Sequence, residues 1–310
     1  MTEPATPAEA GPTQAAGDNI SLAIILMIVA VTLFSCLDTA AKYLATVAEI
    51  PVTQVIWVRF FSQFMLLLIL VPAFGVVSLP NMFRVKRQGW QWLRSIMMAL
   101  TTAFNFLALK YLQLDETVTI MFLSPLFVAL AAGPLLGEWV GWRRFVAILV
   151  GFSGILLVVR PGFAEVHPAL LYSFGAMAAL VIFALITRHI AADDPPLVTL
   201  FFSLFAGVVL GLPFAAVDWR WDISLPYIGL LFSLGVLGGA GHYLYILSYK
   251  MAPASVVTPF IYLQIVSMAA LGYIVFGDLP DIWTVLGSAV IIGSGIYLFH
   301  REQIVKQGGG

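Results

Sequence analysis

The chain has 310 residues, 61% of them hydrophobic and only 10% charged, with a mean hydropathy of +0.99; a water-soluble domain carries about a quarter charged residues. A soluble globule, a disordered chain and a nucleic-acid binder are excluded by that composition, and the single cysteine, Cys36, excludes an intramolecular disulfide and a thiolate metal cluster. The formal net charge of -1 points to no charged partner, so the information lies in where the few charges fall.

In chain order, residues 1–19 are rich in Ala, Pro, Thr and Glu and read as a disordered cytoplasmic tail, without the basic start of a cleavable signal. A bilayer core about 30 Å thick needs roughly 20 apolar residues per helix, and ten runs of that kind follow. They cover 20–44, 52–76, 90–112, 115–136, 144–160, 168–189, 196–217, 226–248, 253–276 and 282–300. The runs are continuous rather than alternating, which favours helices over a barrel, because backbone groups in lipid must be satisfied within the segment. The expectation is an all-α integral membrane protein of ten transmembrane helices. It divides into a first five-helix block at 20–160, a second at 168–300 and a short cytoplasmic tail at 301–310. Lys and Arg beside the span ends number nine on one side against four on the other, which places both termini in the cytoplasm.

The first run carries Ser35, Asp38 and Lys42, and the second carries Arg59. An ionisable group within a span is costly and is a functional candidate by default. Asp38 and Arg59 fall roughly 10 to 12 Å below the same non-cytoplasmic surface at 1.5 Å of rise per residue, so they are placed to pair. The alternative for Asp38 is an ordinary i, i+4 contact with Lys42. In the third run Arg94 is close enough to the cytoplasmic surface to snorkel, while Thr101, Thr102 and Asn105 lie at mid-depth. The fourth run holds Ser124 and Pro125 and closes on Gly137-Glu138. The eighth presents Gly235, Gly238, His242, Tyr245 and Tyr249 along one helical face, with Gly235 and Gly239 as a small-xxx-small pair. His242 is either a hydrogen-bonding residue or a proton carrier. The ninth run contains Pro259, Tyr262 and Gln264 and closes on Gly277-Asp278.

Sliding the chain along itself by 138 residues superposes the third and fourth runs on the eighth and ninth, placing Tyr111, Val118 and Phe122 on Tyr249, Val256 and Phe260. Five spans per half is an odd number, so the halves cross the membrane in opposite senses. Inverted repeats of this kind give secondary transporters their inward-open and outward-open states around a midplane site. No P-loop, His-Glu-x-x-His or Gly-x-Ser-x-Gly pattern is present, and no metal or cofactor is expected.

Asp38 with Lys42, Arg59, the run from Tyr111 through Pro125 to Gly137-Glu138, and Tyr249-Lys250-Met251-Ala252-Pro253-Ala254-Ser255 leading to Gly277-Asp278 together resemble the drug/metabolite transporter superfamily, EamA branch. Asp278 stands where Glu is commoner in that branch, and Pro259 precedes the position matching Pro125. The resemblance implies a ten-span carrier of small organic metabolites in a bacterial inner membrane, acting as a monomer or weak homodimer. Its nearest type is the YddG-like amino-acid exporter, with uptake or exchange of another metabolite or drug as the alternative and an intramembrane enzyme as the rival from a different class. On this reading His242, Tyr245, Asn105, Thr101, Ser35, Tyr262, Gln264 and Ser124 contact the substrate. Asp38, Lys42, Arg59, Glu138 and Asp278 serve as gating residues or ion pairs, and Pro125, Pro259, Gly235, Gly238 and Gly239 serve as hinges.

Overall fold

The computed structural model describes residues 12–73, 85–136, 142–159, 167–190, 196–252 and 257–307. Its helices are α1 (Pro12–Thr46), α2 (Val52–Ala73), α3 (Gln88–Leu109), α4 (Leu114–Met121), α5 (Ser124–Leu136), α6 (Trp142–Val159), α7 (Leu170–His189), α8 (Pro196–Val217) and α9 (Leu225–Met251). A 3₁₀ turn at Thr258–Tyr262 leads into α10 (Leu263–Phe276), and α11 (Ile282–Gln307) is the last helix among the described residues. Each predicted run is mainly helical over its described residues, with turns at 110–112, 122–123 and 168–169. The helix boundaries extend past the apolar runs at both termini, so residues 12–19 and 301–307, expected as tails, continue α1 and α11. Six helices are individually long and apolar enough to span a bilayer; Phe145–Val159, Phe260–Phe276 and Ile282–Tyr297 are shorter.

The fourth span is the exception to continuity. It is broken at Phe122 and Leu123 into α4 and α5, and Pro125 lies in the first turn of α5, where its missing N–H costs no helical bond. The ninth span breaks at the corresponding place, with Pro259 inside the 3₁₀ turn before α10. The two breaks face one another: the Phe122 and Tyr262 rings stand 5.1 Å apart.

Packing follows the repeat. α1 lies along α9 as α3 lies along α7, and α2 meets α9 as α8 meets α3. α1 touches α10 as α7 touches α4 and α5, while the pairs α2 with α8 and α6 with α11 are their own counterparts. Exchanging the first five spans for the last five therefore reproduces the contact pattern, the signature of a two-fold relation between inverted halves. Where α6 and α11 cross, a Cβ on Gly154 would stand 2.8 Å from the Gly287 carbonyl, so the two backbones touch. Ile25, Leu149, Phe152, Phe214, Val217 and Ile274 remain exposed around the bundle, as a lipid-facing surface requires.

Candidate substrate layer and end latch

A polar layer lies between α1, α2, α3 and α9. Asp38, Arg59 and Thr102 are buried there. The carboxylate of Asp38 accepts a hydrogen bond from Asn105 Nδ2 at 3.1 Å, and Arg59 donates to Thr102 Oγ1 at 3.1 Å. Arg59 is within electrostatic reach of both Asp38 and His242, and its guanidinium lies 5.1 Å from the Phe60 ring centre and 5.8 Å from that of Phe106. The Nε of Arg59 is buried with no hydrogen-bond partner. A buried donor left unpaired costs about 1–3 kcal/mol, so this layer has unused capacity for an acceptor.

The expected direct ion pair between Asp38 and Arg59 is not formed; each charge is held instead by a neutral side chain of α3, Asn105 or Thr102. The alternative pairing of Asp38 with Lys42 fails as well, because Lys42 turns to Asp278 in the loop after α10. Thr101, expected at the substrate, returns its hydroxyl to the Met97 carbonyl of its own helix. Thr102, one residue on, is the threonine that serves Arg59.

Aromatic rings border the layer. Phe34 meets His242 edge-on at 4.9 Å and Tyr245 at 6.4 Å, and Tyr245 continues to Tyr249 at 5.0 Å. Among the described residues, the His242 imidazole nitrogens have no hydrogen-bond partner. Ser35 donates to the Val31 carbonyl at 3.0 Å and reaches the Gln264 carbonyl at 3.5 Å, linking α1 to α10. Tyr262 lies within electrostatic reach of Tyr249, at the edge of this group. Tyr262 packs on Phe122 with its hydroxyl filling the space a Cβ on Gly295 would take, and Ser124 is buried at the start of α5. Gly235, Gly238 and Gly239 lie in an unbroken α9 against α2, where Gly235 abuts Ser62 and the Gln63 backbone nitrogen. That position provides close approach between helices, rather than the bend a hinge needs.

Arg94 corrects the snorkelling expectation. It is buried, and it donates to Thr187 Oγ1 at 2.7 Å, Ser203 Oγ at 2.8 Å and the Thr199 carbonyl at 3.1 Å, with its guanidinium 4.5 Å from the Phe183 ring centre. It ties α3 to α7 and α8, and Arg59 is therefore not alone as a buried cation.

The second cluster joins the two halves at one end of the bundle. Lys42 Nζ donates to Asp278 Oδ2 at 2.9 Å and to the Leu112 carbonyl at 3.0 Å, and lies 4.7 Å from the Phe276 ring centre. Asp278 is presented by Gly277, whose φ of +74° reverses the chain after α10 and sends the Asp278 N–H to the Gly272 carbonyl. The sequence marked Asp278 as a span-end charge; its partner, 236 residues away, had no local signal. Glu138 lies outside the described residues. Nearby, Asp115 is within electrostatic reach of Asp278 and Lys42, and Glu116 returns to the Gln113 N–H to complete a capping box on α4. No group of three or more His, Cys, Asp or Glu able to hold a metal occurs among the described residues.

Comparison with known proteins identifies the bundle. The EamA-like transporter family matches twice, over residues 21–160 and 167–300. The chain is 27% identical over 266 residues to an S-adenosylmethionine uptake transporter of Rickettsia bellii, covering 86% of this chain and 89% of that protein. It is 25% identical to a riboflavin transporter of Vibrio cholerae, covering 89% and 92%, and 25% identical to a pseudopaline exporter of Pseudomonas aeruginosa, covering 92% and 99%. A solved crystal structure shares the fold with a TM-score of 0.60 at 20% identity, over 89% of this chain and 96% of that one. These relatives are named as transporters, which sets aside the intramembrane enzyme. Both halves of the bundle match one family pattern in turn, and the chain belongs to the EamA-like transporter family.

Proposed function

We propose that the protein carries zwitterionic, amino-acid-like metabolites bearing an aromatic or heteroaromatic group across a bacterial inner membrane by alternating access. One observation carries this reading: a buried acid and a buried base, Asp38 and Arg59, lie in one layer without pairing directly, and Arg59 Nε has no partner. A solute ammonium suits the first and a solute carboxylate the second, each as a charge-assisted hydrogen bond. The rings of Phe34, His242 and Tyr245 supply a wall for the side group.

Two relatives favour this class. S-adenosylmethionine, named as cargo of the Rickettsia protein, joins an amino-acid head to a purine, and riboflavin, named for the Vibrio protein, carries a flat heteroaromatic ring. Relatives are named for uptake and for export, and in this carrier the solute gradient sets the direction, with export of aromatic amino acids as the working case. The excess of basic residues on one side supports cytoplasmic termini, and on that orientation Lys42 and Asp278 stand at the outer end.

The test is counterflow in proteoliposomes loaded with tryptophan, phenylalanine, S-adenosylmethionine or riboflavin. Saturable exchange of the amino-acid solutes that is lost in Arg59→Ala is the expected result. Purified, correctly inserted protein that leaves all four at the empty-vesicle rate overturns the proposal.

A further inference from the structure

The Lys42 seat has the parts of an ammonium receptor: the Asp278 carboxylate, the Leu112 carbonyl and the Phe276 face. These parts do not belong to the same half of the molecule. Lys42, Leu112 and Asp115 stand on the first five spans, whereas Phe276 and Asp278 stand on the last five. Any opening between the halves at this end must separate Lys42 from Asp278. Asp115 is buried on the first half within electrostatic reach of Lys42, and its Oδ2 has no hydrogen-bond partner. The Asp115 carboxylate is held by the backbone N–H groups of Asp115 and Glu116, which leaves Oδ2 as a second acceptor within electrostatic reach of a lysine already paired elsewhere.

We propose that Asp278 and the Phe276 ring form a cation seat that Lys42 fills while the outer end is closed. When that end opens Lys42 shifts onto Asp115, and the ammonium group of an arriving solute takes the vacated seat. The exchange keeps the lysine paired in both states, so opening costs no stranded charge. Leu112 stays with Lys42 throughout, since both belong to the first half. The solute thus makes its first contact at Asp278 before reaching Asp38, which lies one helical turn, about 6 Å of rise, deeper than Lys42 along α1. This rests on the carrier reading above, but its test reads opening rather than flux.

The reporter is Leu114→Cys in a Cys36→Ser background, at a fully buried position on α4 beneath the latch, labelled from outside with a membrane-impermeant maleimide. Lys42→Ala is expected to raise the labelling rate about tenfold, roughly the effect of losing 1.4 kcal/mol of closed-state stability. With the lysine side chain gone, ethylammonium takes its place in the closed seat, between Asp278 and the Leu112 carbonyl, and is expected to bring the rate back towards that of the unsubstituted protein, while acetate does not. Asp278→Asn is expected to abolish the ethylammonium effect. Asp115→Asn with Lys42 intact is expected to slow labelling, because the lysine has lost its second partner. Lys42→Met, which keeps the side-chain volume, repeats the experiment should the alanine variant fail to fold. Labelling of Lys42→Ala that ignores ethylammonium, rescue that persists in Asp278→Asn, or an unchanged rate in Asp115→Asn overturns the proposal. Such a failure with counterflow intact removes the seat and leaves the carrier; loss of counterflow with labelling as expected does the reverse.

Discussion

Arg59 and Arg94 are both buried cations in a lipid-embedded bundle, yet their surroundings differ in kind. Arg94 reaches two hydroxyls, a carbonyl and an aromatic face, drawn from α7 and α8. Arg59 has one hydroxyl, two ring faces and an unpartnered Nε, near a carboxylate that it does not bond. A cation whose donors are well occupied by protein groups fastens helices together. A cation left partly unoccupied has a donor that the proposed solute carboxylate would satisfy.

The largest effect expected from this contrast is on stability at Arg94. Arg94→Ala removes three hydrogen bonds to a charged group and is expected to lower unfolding free energy by about 3 kcal/mol, read as a fall in melting temperature, while solute affinity of the folded fraction stays within about twofold. Arg59→Ala should invert the pattern, with solute Kd rising roughly 100-fold, about 2.7 kcal/mol, and a smaller change in melting. If Arg94→Ala abolishes binding without lowering the melting temperature, the contrast is reversed and the substrate layer is misplaced. Asn105→Ala removes the one donor to Asp38 and is expected to cost about 1–2 kcal/mol in solute binding, measured by calorimetry. Thr101→Val is the smallest change, under about 0.5 kcal/mol in either readout, because the Thr101 hydroxyl serves only its own helix.

The difference between Thr101 and Thr102 shows where sequence reading stops. Depth in the membrane is legible from residue count, and it sets Asp38 and Arg59 at matching depths on α1 and α2. Which way a residue faces around its helix is not legible when nearly every face is apolar, since no polar stripe marks the interior. For that reason the sequence favours Thr101 over its neighbour and lets Arg94 reach the surface, and it gives no sign that the Tyr262 hydroxyl abuts Gly295 of α11. The repeat was legible through Phe122 and Phe260, and both fall where the fourth and ninth spans lose regular α-helix. The breaks themselves were hinted at only by Pro125 and Pro259. Lys42 and Asp278 were each noticed, but a pairing across 236 residues exists only after the two halves have assembled.

The facing interruptions at Phe122 and Tyr262 have a kinetic consequence. Phe122 belongs to the first half and Tyr262 to the second, so the two rings must slide past one another when one half rocks on the other. Replacing Phe122 with Leu should alter how fast the molecule switches sides without tilting the ratio of time spent on each, whereas Asp278→Asn, at one end only, should tilt that ratio.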